Sequence, residues 1–257
     1  MDKRLVFNNI PEEYDKWRPV YVQELYADIF SYSNIDETSH ALEVGIGTGK
    51  ATLPFLEKNC RITAVELGDK LAEYTRRKFS EYTNLEVITE DFEKYVCPDN
   101  TYDLIYSACA FHWIPEEIGY PKVYSLLKRG GTFARFANCP QRDKYNEPLY
   151  DAIQQVYARY MPNTAPPQDY THENCKKKAN IALKYGFTDI SYKMYHQKRI
   201  FDADSYVAHQ HTHSNHADMD AERWAAFSGE IKAAINAYGG IINVYDVMEL
   251  QLARKLV

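Results

Sequence analysis

Long apolar segments are missing from this sequence of 257 residues. No apolar run approaches the ~20 residues that a helix needs to span a bilayer. Residues 1–17 are polar and lack the apolar centre of a signal peptide. We therefore expect a cytoplasmic protein with no membrane association.

An excess of basic residues is missing as well. The formal net charge is −6, whereas a nucleic-acid partner normally requires a basic face. The five cysteines are odd in number and form no C-x-x-C pair, which is typical of reduced thiols rather than of a disulfide framework or a zinc site. These absences argue against nucleic acid and metal. We expect a small-molecule partner and a monomer or homodimer.

Short apolar runs and amphipathic stretches alternate through the first half of the chain. The patterns predict helices after Pro19 and from about Asp69, which is a plausible cap, and a helix ending near Leu127. Strands alternating with helices of this size favour a parallel, doubly wound α/β sheet. The predicted strands are His40–Val44, Arg61–Val65, Leu85–Ile88, Tyr102–Ala108 and Thr132–Phe136.

The second half of the chain is less regular. Helical spacing predicts helices over Asn146–Tyr160, from Thr171 to near Gly186, and from about Asp220 to a stop at Gly239 and Gly240. Two strand-like segments, Ile190–Phe201 and Ile241–Met248, are far apart in sequence. We expect them to pair at an edge of the sheet.

A glycine-rich turn follows the first predicted strand. Gly45, Gly47 and Gly49 alternate along it, and glycines let backbone amides approach a ligand closely. The dinucleotide fingerprint G-x-G-x-x-G would place its third glycine at residue 50, which is Lys50 here. Glu43, two residues before the first glycine, can serve the amino group of an amino-acid tail. The turn therefore favours a ligand without a pyrophosphate.

This turn resembles motif I of the class I S-adenosylmethionine-dependent methyltransferases, an acidic residue followed by G-x-G-x-G. The resemblance implies a Rossmann-like fold with a seven-stranded, mostly parallel sheet and a reversed final strand. It also implies S-adenosylmethionine as cofactor and S-adenosylhomocysteine as product. It extends over about residues 39–138, and Leu126–Thr132 resembles the turn that precedes the fifth strand in this family.

Further acidic positions fit the same family. Glu66, beside Leu67, ends the second strand, and the resemblance implies that it accepts from ribose hydroxyls; the alternative is an ordinary surface glutamate. Asp91 and Phe92 follow the third strand and resemble the adenine partners, although Asp91 could instead start a turn. Ser107 and Ala108, at the end of the fourth strand, would lie beside the cofactor.

A narrower resemblance concerns the acceptor side. The segments Tyr14–Pro19 and Ala110–Trp113 resemble the type-11 group that includes trans-aconitate methyltransferases. Among them, Tyr14, Trp17, Arg18 and Trp113 are predicted to contact the acceptor. Arg18 could anchor an anion or pair with a surface acid.

Histidines provide the remaining candidates. His112 follows the fourth strand and is the predicted base or substrate donor, with a histidine packed under Trp113 as the alternative. His211 and His213 belong to a histidine run over residues 209–216. That run could be a substrate contact or lid, a plain surface, or a metal site, although the recognised chemistry needs no metal.

These observations divide the chain into four segments. We predict a helical lid over 1–35, a cofactor-binding core over 36–140, an inserted helical cap over 141–185, and a C-terminal part over 186–257 that completes the sheet and the substrate pocket. The predicted activity is transfer of a methyl group to the oxygen or nitrogen of a small molecule, possibly a carboxylate, by in-line displacement. An RNA or protein methyltransferase, or a non-catalytic S-adenosylmethionine-binding protein, are the alternatives.

Overall fold

The computed structural model describes residues 3–164, 168–217 and 219–256. Seven strands in this part of the chain form one sheet in the order β3-β2-β1-β4-β5-β7-β6. Strands β1 to β5 pair in parallel, whereas β7 is antiparallel to both β5 and β6. The strands are β1 His40–Val44, β2 Arg61–Glu66, β3 Leu85–Thr89, β4 Tyr102–Ala108, β5 Leu127–Gln141, β6 Phe187–Asp202 and β7 Ile241–Lys255.

This topology confirms the predicted seven-stranded, mostly parallel sheet with a reversed final strand. The two late segments pair as expected, with Tyr195 opposite Met248 in the β6–β7 register. Chain order reverses between β1 and β4, which are neighbours in the sheet. In open parallel sheets, ligands bind at such a reversal, beyond the carboxyl ends of the strands.

Helices cover both faces of the sheet. None in the described ranges is long and apolar enough to cross a membrane. Three short 3-10 helices, over Lys3–Asn9, Phe111–Trp113 and Ile181–Tyr185, supplement them. The α-helices are α1 Pro11–Trp17, α2 Gln23–Ser33, α3 Leu53–Leu56, α4 Asp69–Lys78, α5 Glu116–Leu126, α6 Glu147–Tyr160, α7 His172–Asn180, α8 Ala203–His211, α9 Ser214–Ala217 and α10 Ala221–Ala237.

Side-chain caps explain where the late helices begin. Asn146, Thr171 and Asp220 each accept a hydrogen bond from a backbone amide of the first turn of α6, α7 and α10. These residues also mark the starts that the sequence predicts. The helix after Thr171 ends earlier than predicted, at Asn180, and a 3-10 helix continues to Gly186, which ends it at φ +85°.

Two helix starts differ from the sequence prediction. Pro19 does not open a helix, because the chain stays extended after Arg18 and α2 begins only at Gln23. Pro11 instead occupies the first position of α1. Asp69 is not the cap of α4 but its first residue. The amides of Lys70 and Leu71 donate to the Asn8 side chain, at 2.9 and 3.2 Å, because the N-terminal segment packs there.

The fifth strand is longer than predicted. It begins at Leu127, which pairs with Tyr102, and then shifts register before Thr132 pairs with Leu104. Gly130, with φ +74°, lies within this irregular stretch. The strand therefore starts directly after helix α5, and Gly130 lies where its pairing with β4 is irregular.

Three apolar clusters stabilise the fold. One lies between the sheet and α2 and α3, with Leu25, Ile29 and Phe55 fully buried. A second lies on the opposite face, against α5. The third joins α6, α8 and α10 to the first half of β7, with Phe227, Ile231 and Ile235 fully buried. This third cluster packs beyond one end of the sheet and forms a wall beside the topological reversal.

Removal of the Asn8 cap should destabilise the protein. Asn8→Ala removes the acceptor of the Leu71 amide and one of the two acceptors of the Lys70 amide, which keeps Asp69 Oδ1, and loss of an N-terminal cap costs about 0.5–2 kcal/mol. We expect that decrease in the free energy of unfolding by urea titration. Asn9→Ala, which removes only an exposed contact with the Lys70 ammonium, should change it by less than about 0.5 kcal/mol. Equal effects of the two variants would show that Asn8 does not stabilise α4.

Candidate active site

The glycine turn after β1 has the backbone conformation that its sequence requires. Gly45, Gly47 and Gly49 have φ values of +75°, +55° and +73°, a region that favours glycine. A Cβ on Gly45 would lie 2.4 Å from that of Ala110, and one on Gly49 would lie 2.2 Å from the Phe79 ring. A Cβ on Gly47 would meet nothing within 4 Å. Packing therefore requires the outer two glycines, and the central one faces open space.

Glu66 connects this turn to the next one. Its carboxylate accepts from the Gly47 amide and from the Gly68 amide, each at 2.8 Å. The residue is only 7% exposed, and burial raises the pKa of its carboxyl group. Glu66 is therefore a buried structural acceptor on the cavity wall, which corrects the alternative of an ordinary surface glutamate.

Glu43 lies beneath the turn. It is fully buried, and its Oε2 accepts from the hydroxyls of Thr52 and Tyr106, each at 2.8 Å. Burial, with a smaller contribution from the charge of Glu66, raises the pKa of Glu43 to about 7. The ionised fraction of this carboxyl group therefore changes strongly near neutral pH.

A cavity of about 300 Å³ opens between the turn, the ends of β2, β3 and β4, and the N-terminal segment. Eight of the predicted cofactor residues line it: Glu43, Gly45, Gly47, Glu66, Leu67, Asp91, Phe92 and Ala108. Two others do not. Gly49 packs behind the turn against Phe79, and the Ser107 hydroxyl donates to the Val44 carbonyl at 2.7 Å inside the sheet. The structure thus brings together eight of these ten positions.

An arginine that sequence reasoning missed lies at the far end of the cavity. Arg4 forms ion pairs with Asp91 at 3.2 Å and with Glu93 at 3.1 Å. Asp91 also accepts from the Glu93 amide. The acidic group that the family resemblance assigns to the adenine is therefore already engaged by the N-terminal segment. No motif in the sequence marks Arg4, because its contact partners lie almost 90 residues away.

The N-terminal segment also provides the outer wall. Of the predicted acceptor residues, Tyr14, Arg18, Trp113 and His213 line the cavity, whereas Trp17, His112 and His211 do not. His112 is exposed on the 3-10 helix, with its ring beside that of Trp113. The ring of His211 faces that of Trp224 at 4.7 Å. His112 therefore does not line this cavity, and its catalytic role stays a prediction.

Arg18 holds a positive charge at this outer wall. Its Nη2 donates to the Thr212 carbonyl at 2.6 Å, and its guanidinium lies 5.1 Å from the Tyr14 ring centroid. Its Nε is buried without a hydrogen-bond partner. No carboxylate of the described residues lies within ion-pairing distance of the Arg18 guanidinium. The carboxylates near the cavity either pair with other cations or form no ion pair.

Asn138, near the end of β5, is a further residue that sequence reasoning missed. Its Nδ2 donates to Oδ1 of the fully buried Asp246 at 2.8 Å, and that carboxylate also holds the Arg199 guanidinium. The interaction with Asp246 fixes the amide orientation, and the Asn138 Oδ1 is left buried without a partner. Asn138 lines the cavity. Its position just after the predicted strand Thr132–Phe136 was the one available signal.

Two histidines of the predicted run reach the same wall. His209 stacks on Phe201 with ring centroids 5.2 Å apart, and burial lowers its pKa to about 3. His213 lies 4.7 Å from the His209 ring, and burial, together with the Arg18 charge, holds its pKa well below the usual value. Both rings are therefore neutral at physiological pH. No cluster of the described residues combines three histidine, cysteine or acidic side chains as a metal site.

Known proteins are similar to this chain in sequence. Residues 41–131 match the family model described as a methyltransferase domain. The malonyl-[acyl-carrier protein] O-methyltransferase 1 of Ilyobacter polytropus is 33% identical over 149 residues, 54% of each chain. The trans-aconitate 2-methyltransferase of an Enterobacter species is 28% identical over 143 residues, again 54% of each chain. The matched region is thus about half the length of these curated relatives.

A solved structure resembles the whole chain. The phosphoethanolamine N-methyltransferase 2 of Haemonchus contortus, in complex with phosphomonomethylethanolamine and S-adenosylhomocysteine, has a TM-score of 0.58 at 14% identity. The similarity covers 100% of this chain and 61% of that one. Residues 41–131 are therefore similar to a methyltransferase domain, as the glycine turn and acidic positions predict, and the fold resembles that of a methyltransferase solved with S-adenosylhomocysteine, which indicates S-adenosylmethionine as the cofactor.

Loss of Glu66 should weaken binding of S-adenosylmethionine. Glu66→Ala removes a charged acceptor from the cavity wall and frees two backbone amides, at a cost of about 1.5–3 kcal/mol, or roughly 10- to 150-fold in Kd. Isothermal calorimetry measures this change. Glu86→Ala, which removes an exposed glutamate of β3, is the matched control. An unchanged Kd for Glu66→Ala in a folded protein would remove Glu66 from the cofactor site.

Binding of the cationic cofactor should also depend on pH through Glu43. Because its pKa is raised to about 7, the ionised fraction of Glu43 falls as pH decreases from 8 to 6. If the ionised form attracts the cofactor, affinity should decrease about tenfold over that interval. Glu43→Gln should give a flat profile. A flat profile in the unsubstituted protein would show that the charge of Glu43 does not contribute.

Proposed function

We propose that this protein transfers the methyl group of S-adenosylmethionine to the carboxylate of a small molecule, forming a methyl ester. The observation that carries this proposal is Arg18, a cation on the outer cavity wall without an acidic partner among the described residues. Arginine recognises carboxylates through its planar donor fork. The names of two relatives, which refer to malonyl and trans-aconitate groups, agree with an acidic acceptor.

The cavity wall fits the proposed cofactor. The open space beside Gly47 lets the turn approach a ligand, and Glu43, Glu66 and Phe92 would provide acidic and apolar contacts. The bound cofactor supplies an electrophilic methyl group whose departure leaves a neutral thioether. The residues of the chain need only hold the acceptor oxygen in line with that methyl group, and such positioning can supply much of a rate enhancement.

Unpartnered polar groups on the outer wall support this role. Arg18 Nε can donate to an acceptor carboxylate, and Asn138 Oδ1 can accept from a hydroxyl or amide elsewhere on the molecule. A buried polar atom without a partner costs about 1–3 kcal/mol. A ligand that satisfies both atoms would offset that cost. A carboxylate has no proton to lose, so the reaction proposed here requires no general base, and the neutral His209 and His213 are left to shape the site.

The direct test is a methyl-transfer assay with isotopically labelled S-adenosylmethionine. A panel of carboxylic acids, amines and phenols is incubated with the protein, and extracted products are analysed by mass spectrometry. We expect methyl esters from the acids, identified by their release of methanol in alkali. Products formed only from amines or phenols would contradict the proposal. Cofactor binding without transfer to any compound would indicate a binding protein.

Replacement of Arg18 should affect the acceptor more than the cofactor. Arg18→Gln removes a charge-assisted hydrogen bond, so kcat/KM for an acid acceptor should fall by about 10- to 100-fold. The Kd for S-adenosylhomocysteine should change less than about threefold. Arg77→Gln, at an exposed arginine of α4, should leave both constants unchanged. A proportional loss in both constants for Arg18→Gln would assign Arg18 to the cofactor instead.

A further inference from the structure

A second cavity of about 310 Å³ adjoins the first. It lies within the third apolar cluster, between α6, α8 and the first residues of β7. Pro140, His209 and His213 line both cavities. The two spaces are therefore separated only by this shared wall, immediately beside Arg18.

The volumes show why the second cavity matters. Ligand pockets usually measure about 300–1,000 Å³, so the first cavity, at about 300 Å³, is small for two ligands. S-adenosylmethionine combines a nucleoside with an amino acid and would take up most of it. Only the reacting end of an acceptor can then lie in the first cavity. The rest of a larger acceptor requires further space.

The walls of the second cavity indicate what that space can hold. Several of its polar groups are bonded to one another. The Tyr157 hydroxyl interacts with His216 Nε2 at 3.1 Å and Gln210 Oε1 at 3.2 Å, and Asp143 accepts from Asn243. Among the described residues, no residue that lines only this cavity has a buried side-chain nitrogen or oxygen without a partner.

Apolar side chains form much of the remaining surface. Leu149 and Ile153 from α6 face Tyr206 from α8 and Ile242 and Val244 from β7. Arg18 and Asn138, with the unpartnered atoms Nε and Oδ1, line only the first cavity. Around the two cavities, buried polar atoms without a partner therefore line the first cavity or, as His209 Nδ1, the shared wall, whereas those residues that line the second cavity alone include the apolar side chains named above.

We infer that the second cavity binds the apolar body of the acceptor, an alkyl or aryl group, while its carboxylate reaches past His209 and His213 towards Arg18. This inference rests on the proposed function, because the carboxylate is its reacting end. It defines the substrate class as monocarboxylic acids with an apolar tail.

Straight-chain alkanoic acids of increasing length test this inference. Their binding to the protein saturated with S-adenosylhomocysteine is measured by calorimetry, and their methylation is measured separately. Each buried CH2 group contributes about 0.8 kcal/mol, so affinity should increase about fourfold per added carbon until the cavity is full. Beyond that length the increase should stop.

Substitution of Ile153 links the length preference to this cavity. Ile153→Phe should move the plateau to shorter acids, and Ile153→Ala should move it to longer ones. Gln155→Phe, at an exposed position of the same helix, should leave the plateau in place. Because the two Ile153 variants should move the plateau in opposite directions, either one tests the inference if the other does not fold. Thermal melting shows which variants fold.

The outcomes separate the inference from the proposed function. Affinity that does not depend on chain length, or a plateau that the Ile153 variants do not move, would overturn the inference, even if short acids are methylated. Length-dependent binding that follows the Ile153 substitutions but gives no ester would support the assignment of the cavity and contradict the proposed methyl transfer.

Discussion

The site depends on the two hydrogen bonds that the Glu66 carboxylate accepts. Glu66 ends β2, yet it binds the amide of Gly47 after β1 and that of Gly68 before α4. One buried side chain thus holds two loops at the reversal of chain order, where the parallel strands leave open space. Burial of an acidic group is costly unless it is hydrogen-bonded, and here the two amides supply those bonds. The glycines complete this constraint, because a side chain on Gly45 or Gly49 would collide with Ala110 or Phe79.

The N-terminal segment converts this open edge into a cavity. Arg4 reaches Asp91, Asn8 caps α4, and Asp15 accepts from Tyr74 and Lys78 on the same helix. These contacts are polar and partly exposed, and such contacts contribute little individually. A segment held in this way should open at a lower free energy than the sheet. This applies to the part before α2, because Leu25 and Ile29 anchor α2 in the apolar core. The lid over residues 1–35 stays a prediction, and Arg18 lies on the outer wall of the first cavity.

Local sequence patterns predicted those features of the fold that depend on residues close together in the chain. Strand alternation, the glycine turn and the helix caps at Asn146, Thr171 and Asp220 are encoded within a few positions, and the structure has them there. The sequence could not show which of two histidine groups faces the cavity. His112 follows β4 as expected but turns outward, whereas His209 and His213 come from α8 and the turn after it, about 100 residues later. The same holds for Arg4, Asn8 and Asn138, whose roles arise from tertiary contacts. The prediction that Pro19 opens a helix was wrong, because a proline is also compatible with an extended chain.

The glycine turn and the N-terminal segment jointly form one cavity. Hydrogen exchange measured by mass spectrometry, with and without S-adenosylhomocysteine, tests it most directly. We expect slower amide exchange over residues 45–49 and also over residues 3–30, with little change in α10. Slower exchange at the glycine turn alone, with the N-terminal segment exchanging as before, would contradict it.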